Sequence, residues 1–270
     1  MKLQSLAIDD LTIEDERSFR HVALYADLKE VLRRDGYRFR VPEGGASWDR
    51  ALFLNLTFWS PSDPADVLPD AHVAADVLAH AAWHHLANRA LGAAADGGAA
   101  ATAAPTADGL LLGESIASAF DLYLVGRLLG HAPDSEFLET QVPAMAEAAE
   151  AAGLPPEAFE ALLGEIAADP ERAFEDLRSL LFDATTALVR CGSVNGAAEI
   201  LDGLAARRFA PLLHHYELST WILYARAYAA SLDPDPAARA IDAALRDAPV
   251  SLEWLEAGWV RGAAGAAGAS

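Results

Sequence analysis

The hydrophobic positions of this chain follow a helical period over most of its length and a two-residue period over one short part. In SFRHVALYADLKEVLRR, from Ser18 to Arg34, Phe19, Val22, Ala23, Ala26, Leu28, Val31 and Leu32 recur near helical spacing, and Asp35-Gly36 ends the run, which predicts a helix. YRFRV (Tyr37 to Val41) and ALFLNLTFW (Ala51 to Trp59) flank a Gly-rich turn at Glu43 to Gly45. Their alternation and their β-branched and aromatic residues predict two strands. Prolines in SPSDPADVLPD close the second strand, and helical periodicity resumes from about Ala71 through Leu91.

Gly92 to Gly109, GAAADGGAAATAAPTADG, offers little to bury and reads as a flexible linker. A strongly apolar helix follows from about Leu110 to Leu129. Beyond it the pattern stays helical: Asp134 to Ala152, Pro156 to Ala168, Pro170 to Cys191, Asn195 to Ala206, Pro211 to Ser231 and Pro236 to Asp247, punctuated by Gly and Pro. These helices share no fixed period, which argues against a repeat array. The expected fold is therefore mainly α. A small N-terminal α/β portion occupies 1–130 with the linker at 92–109, a C-terminal helical bundle occupies 131–260, and GAAGAAGAS at the end reads as a disordered tail over 261–270.

The composition narrows the function more than the fold. Forty acidic against 20 basic residues give a net charge of −20, a surface that repels phosphate backbones and anionic headgroups, so neither nucleic acid nor a membrane is expected as a partner. Cys191 is the single cysteine, which excludes an internal disulfide and fits a reducing compartment. The first residues turn acidic without an apolar leader core, and no purely apolar run of roughly 18 residues stands out, so a cytoplasmic location is expected. EGGAS, from Glu43 to Ser47, lacks the lysine and spacing of a phosphate loop, and no Gly-x-Ser-x-Gly elbow occurs.

One segment carries candidate chemistry. LAHAAWHHLANRAL, from Leu78 to Leu91, spaces His80 and His84 four residues apart, about 6 Å along one helix face, where both imidazoles can reach one ion. His72 and Asp76 continue that stripe backwards if the helix begins at Ala71. On an Ala-rich helix the same pair also suits two surface or core histidines, and only a third ligand decides the matter. LLGESIASAF supplies a candidate in Glu114, a lone carboxylate whose neighbours are apolar for a turn on either side. Its alternatives are a helix cap or a water-facing side chain.

LAHAAWHHLANRAL followed by LLGESIASAFDLYLVGRLL resembles the two-helix core of the gluzincin branch of zincin-like metallopeptidases. There a His-Glu-x-x-His helix precedes a second helix with a ligand glutamate, and a small sheet comes before both. The resemblance spans about residues 37–130. It implies a divalent metal held by His80, His84 and Glu114, zinc in preference to iron, with one coordination place left open for chemistry. It also implies a residue behind a ligand histidine, for which Ser118, Asp121 and Asp76 are the candidates.

The chain departs from the family at Ala81, where the glutamate that removes a proton from the attacking water is missing. Loss of such a base typically costs about 10²- to 10⁴-fold in rate. Three readings follow. A modified metal-dependent hydrolase could take its base from Asp76, His85 or the His214-His215 pair and act on a peptide or small organic substrate. A non-haem iron(II) oxygenase uses the same two-histidine, one-carboxylate set and requires no such glutamate. An inactive pseudo-peptidase would keep the cleft to bind a peptide or protein.

PLLHHYELSTWILYARAY, from Pro211 to Tyr228, is expected to be one helix. Either Trp221, Tyr224 and Tyr228 form its packing stripe with the histidines in solvent, or it roofs the cleft and offers His215 or Tyr216 to the substrate. His85 points about 100° from His84 and is read as structural or supporting. Trp83 belongs to the core, Asn88 and Arg89 to the helix end, and Cys191 reads as a structural thiol.

Overall fold

The computed structural model describes residues 2–43, 66–95 and 105–262. Its architecture is mainly helical, with a small N-terminal α/β portion. Strand β1, Leu3–Ala7, pairs antiparallel with β3, Arg38–Pro42, so that Leu3 faces Pro42 and Ala7 faces Arg38. Strand β2, Thr12–Glu14, pairs in parallel with β4, His72–Ala74. An isolated parallel bridge from Arg40 to Val67 ties β3 to the chain that leads into β4.

The expected strand at Tyr37 to Val41 is thus found one residue later, but its partner is the N-terminal LQSLA, which carries no β-branched residue to announce it. The second expected strand, Ala51 to Trp59, lies outside the described residues, as do the Gly-rich turn beyond Glu43, residues 96–104 of the expected linker and the tail after Gly262; the two ends of that linker are helical, in the helices Ala75–Ala95 and Ala107–Leu129. The helix expected from Ser18 to Arg34 is two helices, α1 (Glu16–Phe19) and α2 (Ala23–Arg34). Phe19 and Val22 stay buried across the break. Gly36, at φ 65°, closes α2 in a left-handed conformation that glycine adopts without strain, and the Tyr37 N–H returns to the Leu32 carbonyl at 2.9 Å.

Helix α3, Ala75–Ala95, begins four residues later than the periodicity implied. His72 therefore lies in β4, exposed and bonded to Glu14 at 3.1 Å, and does not extend the histidine stripe. Asn88 and Arg89 sit inside α3 and do not end it. Helix α4, Ala107–Leu129, is the pillar of the molecule and packs on α3, on α6 (Pro156–Ala168) and on α7 (Pro170–Leu188). Around it lie α5 (Glu136–Ala151), α8 (Val194–Leu204), a 3₁₀ segment at Ala210–Tyr216, α9 (Leu218–Tyr228), α10 (Pro236–Asp247) and α11 (Ser251–Leu255), the last running on as a π-helical turn over Glu256–Arg261. The expected helix from Pro211 to Ser231 is broken at Glu217, whose left-handed φ of 47° separates the 3₁₀ segment from α9.

Two features allow α4 to be so enclosed. A Cβ at Gly113 would meet the Ala87 methyl at 3.2 Å, and one at Gly126 would meet the Ile166 carbonyl at 2.6 Å, so α3 and the α6–α7 corner approach the α4 backbone closely. At the N-terminus, Thr106 accepts from the Gly109 N–H at 3.1 Å, and the fully buried Asp108 holds Arg190 at 2.5 Å and Arg239 at 2.9 Å. A carboxylate in the first helical turn also suits the helix dipole. By length and composition α4 would be able to cross a membrane, more than its sequence suggested, yet its sides are taken by its neighbours. The buried core runs without a break from Ile8 to Val260, across position 130.

Candidate metal centre

Helices α3 and α4 meet at the Ala87–Gly113 contact, and the next residue after that glycine is Glu114. On α3, His80 and His84 lie one turn apart with ring centroids 4.6 Å apart and planes at 72°. His80 Nε2 is 3.7 Å from Glu114 Oε2, and His84 Nε2 is 3.5 Å from Glu114 Oε1. One ligand atom from each of the three residues falls within 4.8 Å of the others, so the group could hold a metal ion. Donor atoms about 2.1 Å from a tetrahedral ion lie about 3.4 Å from each other, close to both His–Glu separations.

Behind His80 stands Asp121, two turns along α4 from Glu114. Its Oδ2 is 3.0 Å from His80 Nδ1, which fixes the ring and leaves Nε2 facing Glu114. Of the three candidates for this supporting place, Asp121 makes the contact. Ser118 is buried on the same helix without a hydrogen bond to either histidine among the described residues. Asp76 sits in the first turn of α3, within electrostatic reach of both Asp121 and His80.

The local charges act together. Burial alone would drive the His80 imidazolium to lose its proton, but Asp121 and Glu114 outweigh it and hold the His80 pKa well above the ordinary value. Burial would raise Glu114, yet His84 and His80 hold it far below the usual carboxylate range. Asp76 is pushed up to about 6, first by burial and then by the Asp121 carboxylate, against the relief of helix N–H groups at Asp76 and Val77. The site faces solvent on the His80 side, where that side chain is 29% exposed, whereas His84 at 5% forms its inner wall.

The remaining expectations divide. His215 and Tyr216 belong to the 3₁₀ segment, with rings 4.9 Å apart, and both feel the Asp121 charge. Burial lowers the His215 pKa against Asp121 and Glu217, and burial followed by Asp121 raises the Tyr216 phenol. Among the described residues no hydrogen bond, ion pair or ring contact joins either of them to His80, His84 or Glu114, and Asp121 is what links them electrostatically to the centre. His214 is exposed and lines a different groove. His85 is bonded to Asp35 at 2.9 Å and packs edge-on to Tyr37, a structural role. Trp83 is fully buried, as expected.

Tyr224 on α9 was read only as packing, but its phenol lies within reach of the Glu114 charge, which adds to burial and Tyr228 in raising its pKa. The hydroxyl in an otherwise apolar stripe was the available signal. Ala81 is 4% exposed and joins the apolar core, so the position where the gluzincin motif has glutamate is packed against neighbours. No protein-family model matches the chain, no curated protein matches its sequence, and no solved structure matches its fold. Nothing in these comparisons identifies a gluzincin family, and that resemblance rests on the sequence motifs around His80, His84 and Glu114 alone.

Proposed function

We propose that this protein is a mononuclear metal-dependent hydrolase of modified type, with zinc held by His80, His84 and Glu114 and a peptide or small organic molecule as substrate. The observation that carries the reading is the double engagement of His80, with Nδ1 on Asp121 at 3.0 Å and Nε2 toward Glu114 at 3.7 Å. Once its Nε2 proton leaves, an imidazole held in this way presents a lone pair in a fixed direction, the usual arrangement behind a metal-ligating histidine. The donor set of two nitrogens and a carboxylate suits zinc and leaves a place open.

When bound, a divalent cation supplies Lewis acidity toward a substrate carbonyl. The chain's own residues supply the rest. Glu114 is ionised across the neutral range, Asp121 holds the His80 ring, and the walls of α3 and α4 exclude water on the His84 side. With Ala81 unable to take a proton, Asp76 is the carboxylate assigned that task. Its pKa of about 6 places it near the range in which a general base works at neutral pH.

A second reading, an iron(II) oxygenase on the same three ligands, is favoured by Ala81, because that chemistry requires no glutamate there. Elemental analysis of untagged protein separates the two. One equivalent of zinc, lost in His80→Ala and Glu114→Ala, supports the hydrolase; iron supports the oxygenase; a wild type that binds neither after reconstitution overturns both. With an identified substrate, Asp76→Asn is expected to lower hydrolysis with metal content unchanged.

A further inference from the structure

A second feature lies in the helical portion. The end of α7, helix α8, the 3₁₀ segment and α9 enclose an open groove of about 1070 Å³. None of its lining residues belongs to the metal centre. Its walls hold Val194 at 85% exposure, Leu223 at 69% and Leu201 at 41%, three large apolar side chains left in water on one face. Leu213, Leu218 and Ile222 continue the floor. Helix α8 has no buried residue, although Val194, Ala197 and Leu201 line its groove side at helical spacing. Apolar surface concentrated in this way marks a place for a partner.

The charges around the groove select the partner. The one guanidinium in its lining, Arg226, donates to the carbonyls of Leu188, Val189 and Cys191 and so serves the end of α7. Glu217 lines the groove without a cation partner among the described residues, and Asp202 flanks the apolar side of α8 in solvent. A second copy of the chain would bring a net charge of −20 against −20 across this face, which opposes self-association.

We infer that the groove between α8 and α9 is a docking site for an amphipathic helix of another protein, apolar on one stripe and basic along its flanks. The apolar stripe covers Val194, Leu201 and Leu223, and the basic flanks meet Glu217 and Asp202. This is the helix-in-groove mode of recognition, with i, i+3, i+4, i+7 anchors supplying affinity and the charges selecting among helices.

The test uses full-length protein and a fluorescein-labelled peptide of about 18 residues, about five helical turns, with Leu at i, i+3, i+4 and i+7 and Lys on both flanks. A second peptide keeps the Leu positions and carries Glu in place of Lys. Fluorescence anisotropy is expected to show saturable binding of the Lys peptide that weakens about ten-fold in Leu223→Asp and in Val194→Asp, the change given by losing about 1.4 kcal/mol at an anchor. The Glu peptide is expected to bind at least about ten-fold more weakly. Val194 is so exposed that its substitution leaves the fold intact even if Leu223→Asp does not. Equal binding by wild type and Val194→Asp, or equal binding of the two peptides, overturns the proposal. So does a concentration-dependent dimer in sedimentation that Val194→Asp abolishes, which assigns the face to a second copy.

Discussion

Asp121 Oδ2 lies 3.0 Å from His80 Nδ1, joining α4 to α3 directly behind the candidate metal centre. If that contact orients a ligand, Asp121→Ala should weaken zinc binding about 10- to 100-fold while the helical fold is retained. Competition against a chromophoric chelator measures the loss, and circular dichroism checks the fold. Asp121→Asn, which keeps a polar partner for the ring, should fall between. Unchanged affinity in both variants would remove Asp121 from the centre.

The pKa shifts give a pH dependence of definite sign. In metal-free protein the folded His80 pKa is raised, so its contribution to stability is complete below its unfolded value of about 6.5 and is lost as pH climbs through the higher folded value. Glu114, held low, contributes above its unfolded value of about 4.3 and loses that contribution as pH falls. Urea denaturation of chelator-treated wild type and His80→Gln should therefore show a difference that shrinks on the alkaline side of neutrality. Zinc affinity should move the opposite way and rise with pH as the proton leaves His80. A metal-free wild type whose advantage over His80→Gln grows with alkalinity would contradict the assignment.

Gly113 sets how near the two helices stand. A methyl there already presses on Ala87 at 3.2 Å, so Gly113→Val should force α3 and α4 apart and destabilise by about 1–3 kcal/mol, the range for overpacking a core. Because Glu114 moves with the backbone, zinc affinity should drop as well. Gly164→Val, at a glycine with open space around it, is the control and should leave zinc binding untouched.

A glutamate placed at position 81, as in the gluzincin motif, should destabilise the fold. Ala81 is 4% exposed and lies in the apolar core, so Ala81→Glu forces a carboxylate among hydrocarbon and should cost about 3 kcal/mol. Thermal unfolding reads this directly. A variant as stable as wild type would show that position 81 opens toward the cleft.

Much of the helical plan was legible because Pro and Gly stand at its boundaries. The helices at Pro156–Ala168 and Pro236–Asp247 carry proline in the first turn and end as the pattern implied. The group of His80, His84 and Glu114 was legible for a different reason. His80 and His84 share a face by spacing alone, and an isolated Glu114 in an apolar helix needs a partner.

What escaped detection depended on contacts far along the chain. LQSLA forms a strand only because β3 lies beside it, and His72 is in a strand because Thr12 pairs with it. Glu217 breaks a helix-like run through a backbone conformation that its side chain does not advertise. The choice of Asp121 over Ser118 behind His80 required the crossing of α3 and α4, which no spacing along one helix contains.

The segment Val194–Leu204 has no fully buried side chain, and Leu204 at its end is half-buried against the core, so little holds its amides against transient opening. Its hydrogens should exchange far ahead of those in Ala107–Leu129, and among the described helices it should be the earliest that a protease finds. A wall of that kind behaves as a clasp: slack while vacant, and drawn taut by whatever it closes upon.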